Sequence, residues 1–141
     1  MNILSKLIKP VHAHCDLFCG VYDPAQARIE AQSVYNAVKK YHDSNDEHFK
    51  ARCILIKEER AQLAKEHLWV LWSDYFKPEH LKSNPQLHDV FWKATKACSD
   101  AKQSLELDTA QALLDAVDAV GELFAGTKDG YDYKAVVKNL S

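Results

Sequence analysis

Glycine and proline are scarce in this chain, four of each in 141 residues. Both interrupt regular backbone, and here they stand at points of punctuation between periodic stretches. No alternating apolar and polar pattern marks a strand, and no internal repeat or low-complexity tract is present. No apolar run approaches the ~18 residues of a membrane-spanning helix. No basic stripe runs along any segment, and the net charge is only -2, which argues against nucleic acid as the main partner. Four cysteines, Cys15, Cys19, Cys53 and Cys98, are too few for a disulfide scaffold in a chain this long. The length fits one domain, able to bury roughly two-thirds of its unfolded surface without metal or disulfide help.

What is present is helical periodicity. Asp23-Pro24 starts a first helix, with Asp23 as N-cap, proline in the first turn and Gln26 three residues on as in a capping box. Ala27, Ala31, Val34, Val38 and Tyr41 then share one face. Residues 42–46 are a polar turn. A second helix is expected over residues 47–76, its stripe formed by Phe49, Cys53, Ile56, Leu63 and Val70, with Arg60 and His67 on the same face. An arginine on that stripe must snorkel or find a partner, because an unpaired buried charge is costly. Lys77-Pro78 ends this helix. Asn84-Pro85 opens a third, with Leu87, Phe91, Ala94, Cys98, Ala101 and Leu105 as its stripe. Asp108 with Gln111 reads as a further capping box, and Leu113, Val117, Val120 and Phe124 form the fourth stripe up to a stop at Gly126. Residues 127–141 are a tail whose Tyr131, Tyr133, Val136, Val137 and Leu140 can dock. The expected fold class is therefore all-α, an up-down antiparallel four-helix bundle. Cys53 and Cys98 fall on inward stripes and read as small buried core residues.

The chemistry lies before the first helix, in His14-Cys15-Asp16-Leu17-Phe18-Cys19-Gly20-Val21-Tyr22. Two thiols four positions apart beside a histidine can surround a soft or borderline metal, and they can equally form a reversible disulfide. Gly20 lets the backbone turn sharply before the helix. The thirteen residues ahead of His14 form a short basic segment that ends in the small residue Ala13. They read either as a frayed terminus or as a removable leader. Cleavage after Ala13 would give His14 a free amine, and two nitrogens with two sulfurs in a plane suit nickel(II).

The run Cys19-Gly20-Val21-Tyr22-Asp23-Pro24, together with His14-Cys15-Asp16-Leu17, resembles the nickel-binding hook of the nickel-containing superoxide dismutases. The likeness continues through Ala25-Gln26-Ala27-Arg28-Ile29-Glu30, Ile56-Lys57-Glu58-Glu59-Arg60-Ala61 and Leu71-Trp72-Ser73-Asp74-Tyr75-Phe76-Lys77-Pro78. The resemblance implies a leader at residues 1–13 removed by a dedicated protease. It implies a dismutase domain over residues 14–141 with its hook at residues 14–22, assembled as a homohexamer. It makes His14, Cys15 and Cys19 the ligands of a nickel ion cycling between Ni(III) and Ni(II), with superoxide as substrate. Tyr22 would stand by the open metal face and Tyr75 would line the approach. Glu30 and Arg60 would orient the His14 imidazole, Arg60 from this chain or from another subunit.

One position departs from the family pattern: Phe18 stands where the family has a proline linked to a cis turn. A cis bond before a non-proline residue costs about 2.5–4 kcal/mol, so a trans bond, altered hook geometry and weaker nickel retention are expected. The leader lacks a secretory core and free thiols survive in the cytoplasm, which is the expected compartment. Three rival readings remain at this level. They are a nickel- or copper-binding module without turnover, a Cys15/Cys19 thiol redox protein, and a helical interaction protein.

Overall fold

The computed structural model describes residues 20–140, and all regular structure among them is helical. Helix α1 spans Ala25–His42, α2 Glu47–Val70, α3 Pro78–Ser83, α4 Leu87–Gln103, α5 Leu107–Ala125 and α6 Tyr133–Val137. A π-helical turn, Leu71–Tyr75, continues α2 directly. Helices α1, α2, α4 and α5 form an up-down antiparallel four-helix bundle. Within it α1 packs on α2, α2 on α4, α4 on α5, and α5 closes the ring on α1.

The faces of α4 and α5 follow from sequence periodicity, except that Leu105, expected on the α4 stripe, lies beyond the end of that helix and is half-buried. Leu87, Phe91, Ala94, Cys98 and Ala101 are buried on α4, and Leu113, Val117, Val120 and Phe124 on α5. Helix α1 likewise buries Ala27, Ala31, Val34 and Val38.

Helix α2 differs from its expected stripe. Cys53 is buried as expected, but Phe49 and Ile56 are exposed, and the buried positions are Cys53, Lys57, Ala61, Ala64 and Leu68. Three of these five, Cys53, Ala61 and Ala64, are small, which lets α2 approach its neighbours closely there while Phe49 and Ile56 lie outside. Lys57 can sit there because its ammonium donates to the carbonyls of Ala101, Lys102 and Ser104 at 2.6–3.0 Å. These are the unsatisfied carbonyls at the end of α4, so a cation closes that terminus and satisfies its own charge at once.

Caps also refine the sequence reading. Asp23 does cap α1, its Oδ1 accepting from the Ala25 N–H at 2.8 Å, although Pro24 is the boundary residue. Helix α5 begins at Leu107 behind Glu106, so Asp108 lies inside its first turn and does not cap it. Gly126 ends α5 as expected, in the right-handed region. The tail docks. Tyr133 is buried, and α6 rests on α1 and α5.

Candidate metal centre

Gly20 has φ +69°, a left-handed conformation that glycine adopts without steric cost, and it turns the chain toward the bundle. Tyr22 follows, partly buried against the core. Its ring centroid lies 5.7 Å from that of Tyr75. Tyr75 is the last residue of the π-helical turn. The wider turn shifts side-chain register at the end of α2, and such bulges occur often at functional sites.

Tyr75 is held on several sides. Its ring stacks on His80 at 5.5 Å and packs against Phe124 at 4.5 Å and Phe76 at 5.0 Å. Its hydroxyl shares a hydrogen bond of 3.0 Å with Thr127 Oγ1. His80 is fixed in turn, because its Nδ1 accepts from the Lys77 N–H at 3.1 Å. Gly20, Tyr22, Asp74, Tyr75, Lys77 and His80 line an open cleft of about 250 Å³. The roles of His80 and Thr127 were not read from sequence. The Lys77-Pro78 break hid the short α3 that carries His80, and Thr127 fell in a stretch without periodicity.

Glu30 and Arg60 also meet. Arg60 donates to Glu30 Oε2 at 3.2 Å, joining α2 to α1, and lies 3.5 Å from Glu59. This is the partner that an arginine at a helix interface requires. Glu30 sits five residues into α1, ~7.5 Å along the axis from its start, and neither residue lines the cleft. The structure thus brings Tyr22 to Tyr75 and Glu30 to Arg60, as two separate pairs.

His14, Cys15, Phe18 and Cys19 lie outside the described residues, as does the expected leader. Among the described residues no group of three or more His, Cys, Asp and Glu side chains could hold a metal. Cys53 and Cys98 are free thiols in the interior. Burial pushes the Cys98 thiol up to about 12, with Lys65 opposing, so this sulfur is an inert core atom. Two thiols and a histidine, as the sequence offers in Cys15, Cys19 and His14, are a thiolate and nitrogen set of the kind that suits nickel.

Comparison with known proteins gives a consistent picture. A family model described as nickel-containing superoxide dismutase matches residues 9–128. The curated "Superoxide dismutase [Ni]" of Streptomyces seoulensis is 53% identical over 129 residues, spanning 89% of this chain and 98% of the relative. Its counterpart in Streptomyces coelicolor is 50% identical over 129 residues, with the same coverage. The native structure of a nickel superoxide dismutase superposes with TM-score 0.80 at 50% identity, covering 83% of this chain and all of the other. A Ni-containing superoxide dismutase with nickel ligation corresponding to the oxidized state gives 0.79 at 53% identity, with the same coverage.

Proposed function

The chain belongs to the nickel-containing superoxide dismutase family, and from that premise we propose that the cleft between Gly20, Tyr22 and Tyr75 is the mouth of its active site. It is an enzyme with nickel as cofactor and superoxide as substrate. Two superoxide ions and two protons give one dioxygen and one hydrogen peroxide. The observation that carries the site assignment is the Tyr22–Tyr75 pair beside Gly20, one peptide bond from Cys19.

Nickel held by His14, Cys15 and Cys19 supplies one-electron chemistry, alternating between the trivalent and divalent states. The chain does the rest. Removal of residues 1–13 frees the His14 amine, which together with the Cys15 amide nitrogen and the two thiolates forms the donor set. The Glu30–Arg60 pair gives the His14 imidazole a hydrogen-bonding partner, the usual way a ligand ring is oriented. Tyr22 and Tyr75 narrow the opening to a small anion and hold water there as a proton source. Lys77 at the rim favours an anionic substrate.

The enzyme works as a homohexamer in the cytoplasm after a protease removes the leader. Exposed Ile29 on α1 and Phe49, Leu55 and Ile56 on α2 support the assembly. The free Cys53 and Cys98 suit a reducing compartment. None of the described helices is long and apolar enough to cross a membrane.

The test compares two forms in a dismutase assay after nickel loading, the full chain and a chain beginning at His14. The shorter form is expected to be active and the full one inactive. Equal rates, or activity of the shorter form after nickel is stripped, would overturn the assignment.

A further inference from the structure

The family match ends at residue 128 and the solved relatives are covered whole, yet this chain continues into Tyr131 and α6. That continuation reaches back to the start of α1. The Tyr131 hydroxyl donates to Asp23 Oδ1 at 2.7 Å, the same oxygen that caps α1 by accepting from the Ala25 N–H. Tyr133, one residue beyond Asp132, donates to Asp118 Oδ1 at 2.7 Å, and that oxygen also takes the Arg28 Nε–H at 2.8 Å. The first turns of α1 are therefore tied to the tail at Asp23 directly and at Arg28 through Asp118. Tyr131 also packs edge-on against Phe124 at 5.0 Å, the ring that supports Tyr75.

We propose that the segment from Tyr131 onward is a strap across the root of the metal hook, with Tyr131 a positioning residue that fixes Asp23 and so the chain entering the hook. The proposal rests on the site assignment above. Its physical basis is conformational entropy. A hook whose root is already ordered has less freedom to lose when its donors close on nickel, so the metal leaves more slowly. The Asp23 carboxylate serves both the cap and the strap, so fraying of the first turn of α1 must break the Tyr131 bond as well.

The experiment uses the chain beginning at His14 in four forms: unaltered, Tyr131→Phe, Asp23→Ala and the double variant. Three quantities are measured. They are the rate of nickel transfer to excess EDTA, amide exchange of residues 20–28 in the nickel-free protein, and amide exchange of α4. Loss of one such hydrogen bond should speed nickel release about fivefold in Tyr131→Phe. Exchange of residues 20–28 should rise while that of α4 stays unchanged, which separates positioning from general destabilisation. The double variant should release nickel no faster than Asp23→Ala, because the tyrosine hydroxyl then has no acceptor to lose. Unaltered release and unaltered exchange of residues 20–28 in Tyr131→Phe overturn the strap, as do additive effects in the double variant. Should Asp23→Ala fail to fold, Tyr131→Phe alone decides. Failure of the unaltered chain to bind nickel sinks the site assignment instead, and the nickel-free exchange still judges the strap.

Discussion

Gly121 marks how closely the tail lies on the bundle. A Cβ there would overlap the ring of Tyr133, which is buried against α5. Alanine suits a helix better than glycine by about 1 kcal/mol, but the tyrosine would have to leave its site, forfeiting about 2–3 kcal/mol of burial. Gly121→Ala is thus expected to lower stability by about 1–2 kcal/mol, read from the urea midpoint at constant m-value. A stabilised variant would show that the ring can move aside without loss. Three further groups make stability depend on alkaline pH. Burial first, and then the carboxylate each hydroxyl donates to, hold Tyr131 and Tyr133 above the usual tyrosine range. Burial raises Cys98 to about 12. All three are neutral when protonated and favoured in that form by the fold. Their contribution is whole below the unfolded values, about 9 for the thiol and about 10 for the phenols, and is lost as pH rises toward the folded ones. The melting temperature should therefore fall above about pH 9. The fall should be shallower in a Tyr131→Phe, Tyr133→Phe double variant, and equal slopes by calorimetry would refute this account.

At the scale of the element, α2 is governed by a polar contact that periodicity does not report. Lys57 is 2% exposed, and its three carbonyl partners belong to the end of α4 and the turn beyond it. Lys57→Met keeps most of the volume but strands those carbonyls. The expected cost is about 3 kcal/mol in urea unfolding, and a loss below about 0.5 kcal/mol would mean that water replaces the ammonium. This residue also explains where the sequence was legible. Helices α4 and α5 carry apolar residues at 3.6-residue spacing, so the burial of Phe91, Cys98, Val117 and Phe124 is legible in the sequence. In α2 the large apolar residues Phe49 and Ile56 face outward, and the inner face is built on Cys53, Lys57, Ala61, Ala64 and Leu68. A reading that weights size and hydrophobicity takes in Cys53 but misplaces Phe49 and Ile56 and misses Lys57, Ala61, Ala64 and Leu68. The same limit applies to the cleft. Tyr22 and Tyr75 were named from a resemblance carried by local motifs. His80 and Thr127 reach Tyr75 through a short helix and a tertiary hydrogen bond that no local pattern encodes.

At the scale of the molecule, the outward side chains of α2 are the informative ones. Phe49 and Ile56, with Cys53 and Arg52 from α2 and Ser33, Asn36, Ala37 and Lys40 from α1, line a groove of about 270 Å³ on the bundle surface. Ile29 and Leu55 extend the exposed apolar area on the same two helices. Apolar residues grouped on one face imply a covering partner, and a second copy of the chain fits the proposed hexamer. Ile56 stands one turn before Arg60, so that face runs beside the Glu30–Arg60 pair. Assembly would then remove water from the pair proposed to orient His14, strengthening its hydrogen bonds in a drier surrounding. Ile56→Lys places a charge on that face without touching the core, since Ile56 is 43% exposed. It should leave helicity by circular dichroism unchanged, convert the assembly to smaller species by light scattering, and speed nickel release from the chain beginning at His14. If the particle mass is unchanged, the covering face lies elsewhere. If the mass falls while nickel release does not change, the pair holds His14 without help from a neighbouring subunit.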